Sequence, residues 1–165
     1  MPVFAIIALF AYGRTLYVFA FKLPSWILFQ SLGEMLSNLA YGLIFNLLES
    51  LLILSALLII AFILPARFFK DNFTAQGTWL VIFILASILV FFKNYSSVGP
   101  DFNKYIYLWT GITLALSIPV AVLGGRISFL KKAALWFSDR AIILLFIFLP
   151  ASLISILVVI ARNIS

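Results

Sequence analysis

The chain has 165 residues, of which 65% are hydrophobic and 10% are charged, and its formal net charge is +6. Average soluble domains are ~45–50% apolar and ~25% charged, so a water-soluble fold of this size has too little polar surface to cover its apolar residues. Because cysteine and histidine are absent, disulfides, Cys- or His-based zinc sites, histidine ligation of haem, and Cys or His catalysis are excluded.

This composition predicts an all-α, polytopic transmembrane helical bundle that forms a single domain over residues 1–165. We expect about five spans and two short interfacial helices. The four tryptophans lie at or near span ends or in the interfacial segments, as in an aromatic belt. The predicted spans are residues 2–21, 40–64, 73–92, 105–123 and 141–160.

The first predicted span, residues 2–21, contains Gly13 and Arg14. We expect a full span rather than a cleaved signal peptide, because no positively charged segment precedes the apolar run and no small-residue cleavage site follows it. The alternative is a short apolar run that ends at Arg14 without crossing. Residues 25–39 follow a turn signal at Pro24 and mix large apolar with polar residues. They predict the first interfacial helix, with a re-entrant segment as the alternative.

The second predicted span, residues 40–64, is the strongest apolar segment of the chain. It is 25 residues long, carries Glu49 as its single charge and ends before Pro65. At 1.5 Å per residue it is longer than the ~30 Å of hydrocarbon that a helix must cross. Insertion of its Leu, Ile and Phe residues outweighs the ~3 kcal/mol cost of one carboxylate near the bilayer centre.

The third and fifth predicted spans, residues 73–92 and 141–160, each follow residues that can cap a helix by accepting its free N–H groups. The fourth span, residues 105–123, is expected to kink at Pro119 and to end at the following glycine pair. Residues 124–140 then predict a second interfacial helix with a basic face. The capping candidates are Asp71 and Asn72 for the third span and Ser138 and Asp139 for the fifth.

The basic residues fall mainly in the connections between spans, which predicts contact with anionic lipid headgroups and not with nucleic acid. The connections on the N-terminal side hold six basic residues, against four on the other side. This excess predicts a cytoplasmic N-terminus and an external C-terminus in a bacterial inner (plasma) membrane. The six predicted headgroup contacts are Arg67, Lys70, Arg126, Lys131, Lys132 and Arg140.

Arg14 and Glu49 are the charges that the predicted spans place inside the membrane. Arg14 lies about 18 Å along the first span, and Glu49 lies about 14 Å into the second, which returns in the opposite direction. At this depth an unpaired charge is costly, whereas a hydrogen-bonded pair is tolerated. We therefore predict an interhelical ion pair between Arg14 and Glu49, with Asn46 beside it.

Gly42, Asn46 and Ser50 follow one another at intervals of four residues. They predict a helix-packing seam, because small and polar residues let helices approach closely and form hydrogen bonds. The functional alternative is a proton or substrate transport site built on Glu49, Asn46 and Arg14. Packing is the favoured interpretation, since a proton relay usually needs more than one titratable group.

No pattern predicts a catalytic residue, a metal site or a cofactor. The five acidic residues lie in separate segments, so no carboxylate cluster for Mg²⁺ or phosphoryl chemistry is expected. The pair Gly124-Gly125 lacks the rest of a phosphate-binding motif. An enzyme that acts alone is therefore not expected.

The segment Gly42-Leu43-Ile44-Phe45-Asn46 resembles the second span of the five-span membrane region of lipoteichoic acid synthase-like phosphoglycerol or phosphoethanolamine transferases. Those proteins often carry a Gly-x-basic-Phe-Asp pattern there, and Ile44 and Asn46 stand at its basic and acidic positions. The resemblance covers membrane segments alone. It implies five spans, an external C-terminus and a role as the membrane anchor of an external metal-dependent catalytic domain.

Three hypotheses for function follow. The first is a non-catalytic integral membrane protein that acts as an embedded subunit or anchor of a larger membrane assembly, with lipids and other membrane subunits as partners. The second is a small transporter or channel subunit with a site at Arg14 and Glu49 near the membrane midplane. The third is the membrane anchor of a lipid-linked polymer transferase, which rests on the resemblance.

Overall fold

The structure, a computed structural model, describes residues 2–63, 73–95 and 102–164, and almost all of them are helical. These ranges contain no β-strand, which confirms the predicted all-α class. Each of the five helices in them is long and apolar enough to cross a membrane, and the chain is an integral membrane protein. The helices are α1 (Pro2–Phe29), α2 (Leu32–Ile63), α3 (Phe73–Tyr95), α4 (Phe102–Arg126) and α5 (Ser128–Ile164).

The helices are longer than the predicted spans. α2 has 32 residues and α5 has 37, which correspond to about 48 Å and about 55 Å at 1.5 Å per residue. A hydrocarbon core of ~30 Å requires such helices to tilt or to extend beyond it. Large apolar side chains cover their exposed faces, among them Phe62 (90% exposed), Phe146 (77%) and Leu52 (71%). Such faces suit contact with lipid.

The boundary between α1 and α2 differs from the prediction. α1 does not end at Phe21 but continues through Pro24 to Phe29, and α2 begins at Leu32. The predicted interfacial helix over residues 25–39 is therefore wrong as a separate element, because most of its residues are divided between α1 and α2. A proline inside a helix removes one backbone hydrogen bond, and membrane helices tolerate this where local adjustments satisfy the freed carbonyl.

A capping box marks the start of α2. The Ser31 backbone N–H donates to Glu34 Oε2 at 2.8 Å, and the Glu34 backbone N–H donates to Ser31 Oγ at 3.4 Å. These two bonds satisfy N–H groups that have no partner within the helix. The Ser-x-x-Glu spacing was the sequence signal for this helix start, and hydropathy alone does not detect it.

The second predicted interfacial helix is also wrong as a separate element. α4 remains helical through Pro119 to Arg126, and α5 begins at Ser128 and runs without a break past Asp139. Ser138 therefore lies inside α5 and does not cap a helix; its hydroxyl donates to the carbonyl of Leu135 at 2.9 Å. The candidate caps Asp71 and Asn72 lie outside the described residues.

The glycine pair does not end α4. Instead, the absence of side chains at these two positions provides room for side chains of α3. A Cβ atom at Gly124 would collide with the ring of Trp79, and one at Gly125 would lie 2.6 Å from Gln76 Cγ. Neither glycine has a positive φ, so both retain helical backbone. Their role is close packing of α3 against α4 and not the left-handed turn that often follows a helix.

The described residues form two compact units. The first contains Val3–Leu58 and the described residues from Asp139 onward, and the second contains the described residues of Ile59–Ser138. In the second unit, which we call the α3–α4 unit, polar side chains join the two helices. Trp109 Nε1 donates to Ser87 Oγ at 2.8 Å, and the hydroxyls of Ser87 and Thr113 are hydrogen-bonded at 2.7 Å.

Candidate functional site in the α1–α2–α5 unit

The first unit, which we call the α1–α2–α5 unit, contains Arg14, Glu49 and Asn46 and the residues Gly42 and Ser50. α1 and α2 approach closely at Gly42, where an added Cβ atom would lie 3.0 Å from Thr15 Cγ2. One turn further along α2, Thr15 Oγ1 donates to Asn46 Oδ1 at 2.9 Å. Gly42 and Asn46 therefore both face Thr15 of α1.

A buried hydrogen-bonded network connects α1, α2 and α5. The hydroxyls of Tyr12 and Ser152 lie 2.6 Å apart, and Ser152 Oγ donates to the carbonyl oxygen of Leu43 at 3.3 Å. With the Ser152 proton directed to Leu43, the Tyr12 hydroxyl donates to Ser152. The Tyr12 ring also stacks on Phe148, with ring centroids 4.6 Å apart. The contact of this serine with Tyr12 was not predicted, because nothing in the sequence relates two residues 140 positions apart.

Two buried polar groups near this network have no hydrogen-bond partner among the described residues. They are Asn46 Nδ2 and Ser50 Oγ, on side chains that are 4% and 0% exposed. An unsatisfied polar group in an apolar interior costs roughly 1–3 kcal/mol. Such groups are candidates for contact with a water molecule or a polar ligand.

Glu49 lies on the exposed face of α2. It shares this face with Phe45 (66% exposed) and Leu52 (71%), which lie four and three residues from it, and its neighbour Leu48 is exposed as well. Within the described chain the Glu49 carboxylate forms neither an ion pair nor a hydrogen bond. The structure therefore presents a carboxylate within an apolar, outward-facing stripe.

Arg14 is exposed as well, and it lines a cavity of about 160 Å³ together with Thr15, Trp26 and Asn38. Like Glu49, its side chain forms no ion pair or hydrogen bond with the described residues. An ion pair or hydrogen bond between Arg14 and Glu49 is therefore absent among the described residues. Their role as an intramembrane or transport site stays a prediction.

Four of the six predicted headgroup contacts are described, and all four have exposed side chains. Two of them, Lys131 and Arg140, also take part in interactions within the chain. The exposed positions are compatible with contact to lipid phosphates, which stays a prediction. The four are Arg126, Lys131, Lys132 and Arg140, whereas Arg67 and Lys70 lie outside the described residues.

The chemistry available in the α1–α2–α5 unit is hydrogen bonding and charge recognition. Its buried side chains supply hydroxyl and amide groups, and its exposed helix faces supply charged groups, among them the Arg14 guanidinium and the Glu49 carboxylate. In the described ranges no three His, Cys, Asp or Glu residues are grouped so that they could hold a metal ion.

Comparison with known proteins gives no relative: no protein-family model, no curated protein and no solved structure matches the chain.

Proposed function

We propose that the chain is a non-catalytic, membrane-embedded subunit or anchor of a larger membrane assembly, and that it contacts its partner through the Glu49 face of α2. The observation that carries this proposal is the exposed carboxylate of Glu49 among Phe45, Leu48 and Leu52. The remaining exposed surface of these helices is predominantly apolar and suits contact with lipid, whereas the Glu49 carboxylate does not suit such contact.

The free-energy cost of exposing a carboxylate to lipid is an argument for a protein partner at this face. An ionised carboxylate near the bilayer centre costs roughly 2.5–3.5 kcal/mol on insertion scales. A neighbouring helix that brings a basic or hydrogen-bond-donating side chain removes much of this cost, because polar groups hold membrane helices together. The partner that fits is a transmembrane helix with such a donor and small side chains beside it.

The test is co-purification of the full chain from its native membrane in mild detergent, with mass spectrometry of the intact complex. We expect a partner subunit in a fixed ratio with the wild-type chain and its loss from Glu49→Leu. Thermal unfolding of the isolated chain should stay unchanged or rise in Glu49→Leu, since no contact within the described chain depends on Glu49. A monomeric wild-type chain, or a Glu49→Leu variant that retains the partner, would refute the proposal.

Ser55→Ala is the matched control for this experiment. Ser55 lies on the exposed part of α2, and its hydroxyl donates only to the carbonyl of Leu51 in the same helix. Its removal should therefore leave the partner bound.

A second function, a small transporter or channel subunit, is favoured by the unsatisfied Asn46 Nδ2 and Ser50 Oγ. These groups lie beside Glu49 in the chain and offer hydrogen bonds to a polar species inside the membrane. Glu49→Gln separates the two functions. The transporter function requires normal assembly with loss of transport, whereas the subunit function requires weakened assembly.

A further inference from the structure

The cavity beside Arg14 has hydrogen-bond donors in excess of acceptors. Arg14 is the one charged side chain among the described residues that line it. Thr15 uses its proton to bind Asn46, and Asn38 uses one of its two amide protons to bind Gln30 Oε1 at 3.1 Å. The guanidinium and the second Asn38 proton remain available.

Trp26 adds a further donor group to the lining of the cavity, and a second cation lies near its ring. Its indole N–H has no acceptor among the described residues, and its ring is held by an edge contact with Phe19 at 5.7 Å. Lys22 Nζ lies 5.9 Å from the centre of the same ring. One positive charge therefore lines the cavity and a second lies near the ring of a lining residue, and none of the described lining residues is acidic.

The position of the cavity along α1 suits a group that enters from the membrane surface. Trp26 and Asn38 lie close to the break between α1 and α2 at residues 30–31, and Arg14 lies about 18 Å from Trp26 along the helix axis. Long basic side chains inside a membrane extend toward the headgroup region. The volume of about 160 Å³ exceeds that of several water molecules at ~30 Å³ each.

From this arrangement we infer that the Arg14 cavity binds a phosphate group, as carried by an anionic phospholipid headgroup or by free inorganic phosphate. Arg14 donates to the phosphate oxygens, the Trp26 indole N–H and the Asn38 amide donate at the outer end, and Lys22 supplies a second positive charge. Charge-assisted bonds from a guanidinium to phosphate are about twice as strong as neutral ones, and they bind two oxygens at once. Arg14 is thereby neutralised without a carboxylate from its own chain.

The experiment uses the full chain in nanodiscs of zwitterionic phosphatidylcholine, into which phosphatidylglycerol is titrated. The readout is the number of phosphatidylglycerol molecules retained by each chain in native mass spectrometry. We expect one tightly retained anionic lipid in the wild type and at least about tenfold weaker retention in Arg14→Gln, since the charge-assisted contact of the guanidinium is lost. Equal retention in wild type and Arg14→Gln would overturn the inference.

Conservative variants show whether weaker lipid binding results from a changed site or from a misfolded chain. Arg14→Lys retains the charge and should retain part of the binding, and Trp26→Phe retains the ring but removes the indole donor and should weaken binding severalfold. Lys93→Gln removes one exposed positive charge elsewhere and should leave the tightly bound lipid in place. Loss of that lipid in Lys93→Gln would show general charge attraction in place of a site and would also overturn the inference.

Inorganic phosphate added to discs that contain only phosphatidylcholine separates the two sources of phosphate. If phosphate raises the unfolding temperature of the wild type but not of Arg14→Gln, the site accepts the soluble anion. If only phosphatidylglycerol has this effect, the site is a lipid site. If neither ligand distinguishes the wild type from Arg14→Gln, the cavity does not bind phosphate.

Discussion

Ser152 is fully buried and connects three helices through its hydroxyl group, which bonds to Tyr12 and to the Leu43 carbonyl. Hydroxyl networks of this kind hold membrane helices together, because lipid gives them no competing hydrogen bonds. Thr15 and Asn46 make the corresponding contact between α1 and α2. Hydrogen bonds between uncharged side chains thus join the described helices of this unit.

Replacement of Ser152 by alanine should lower the free energy of unfolding by about 1 kcal/mol, since hydrogen bonds between membrane helices contribute ~0.6 kcal/mol on average and up to ~1.7 kcal/mol. The change leaves Tyr12 without its partner, so Tyr12→Phe combined with Ser152→Ala should cost less than the sum of the single changes. Reversible unfolding in mixed micelles measures both. Ser155→Ala is the control, since the Ser155 hydroxyl bonds to Ala151 of its own helix; an equal loss there would contradict the role of Ser152.

At the scale of the helix, α4 contains two glycines in opposite surroundings. A Cβ atom at Gly124 would collide with Trp79 of α3, whereas a Cβ atom at Gly111 has no neighbour within 4 Å. The Trp79 ring has little freedom to move, because its indole N–H donates to the Leu130 carbonyl at 3.1 Å. The two positions therefore respond differently to the same substitution.

Gly111→Ala should raise the free energy of unfolding by up to ~1 kcal/mol, because alanine favours helix over glycine by about that amount. Gly124→Ala should lower it by roughly 1–3 kcal/mol, as for other overpacked contacts. Unfolding of both variants in the same micelles gives the comparison. Stabilisation by Gly124→Ala would mean that α3 and α4 do not pack closely at Trp79.

The helix class was predictable from the sequence, because a chain this apolar has few other ways to satisfy its backbone in lipid. The ends of the helices were less predictable. Pro24 and Gly124 were treated as breaks between helices, as they often are in water, yet both lie within helices here. Hydropathy locates the apolar part of a helix, whereas its ends depend on local bonds such as that between Ser31 and Glu34.

At the scale of the whole molecule, the sequence predicted that Arg14 and Glu49 lie inside the membrane. It did not predict the direction in which their side chains point. Depth follows from residue number, because the helix rise is constant. The direction depends on how each helix rotates about its axis, which is set by contacts distant in sequence such as Tyr12 with Ser152. The described helices bury Asn46 and leave Glu49 exposed, so one turn of α2 carries both an internal and an external polar group.

The orientation of the molecule is open to a direct test, because the chain contains no cysteine and a single introduced thiol can be labelled. Asn103 and Ser128 are exposed residues in the first turns of α4 and α5. With a cytoplasmic N-terminus, Asn103→Cys should react with a membrane-impermeant maleimide in intact cells, and Ser128→Cys should react only after the membrane is opened. The opposite pattern would invert the orientation, and labelling of both in intact cells would contradict α4 as a span.

The same labels test whether basic residues set this orientation. The predicted excess is six against four, so Lys131→Ser with Lys132→Ser brings the two sides to four each. Because positive charge in short connections decides which side is retained in the cytoplasm, we expect the double variant to insert in both orientations and both thiols to become partly accessible. Lys93→Ser removes a basic residue from the opposite side and should leave the labelling pattern of the parent chain unchanged. An unaltered pattern in the double variant would show that the apolar segments, and not the charge difference, determine how the chain inserts.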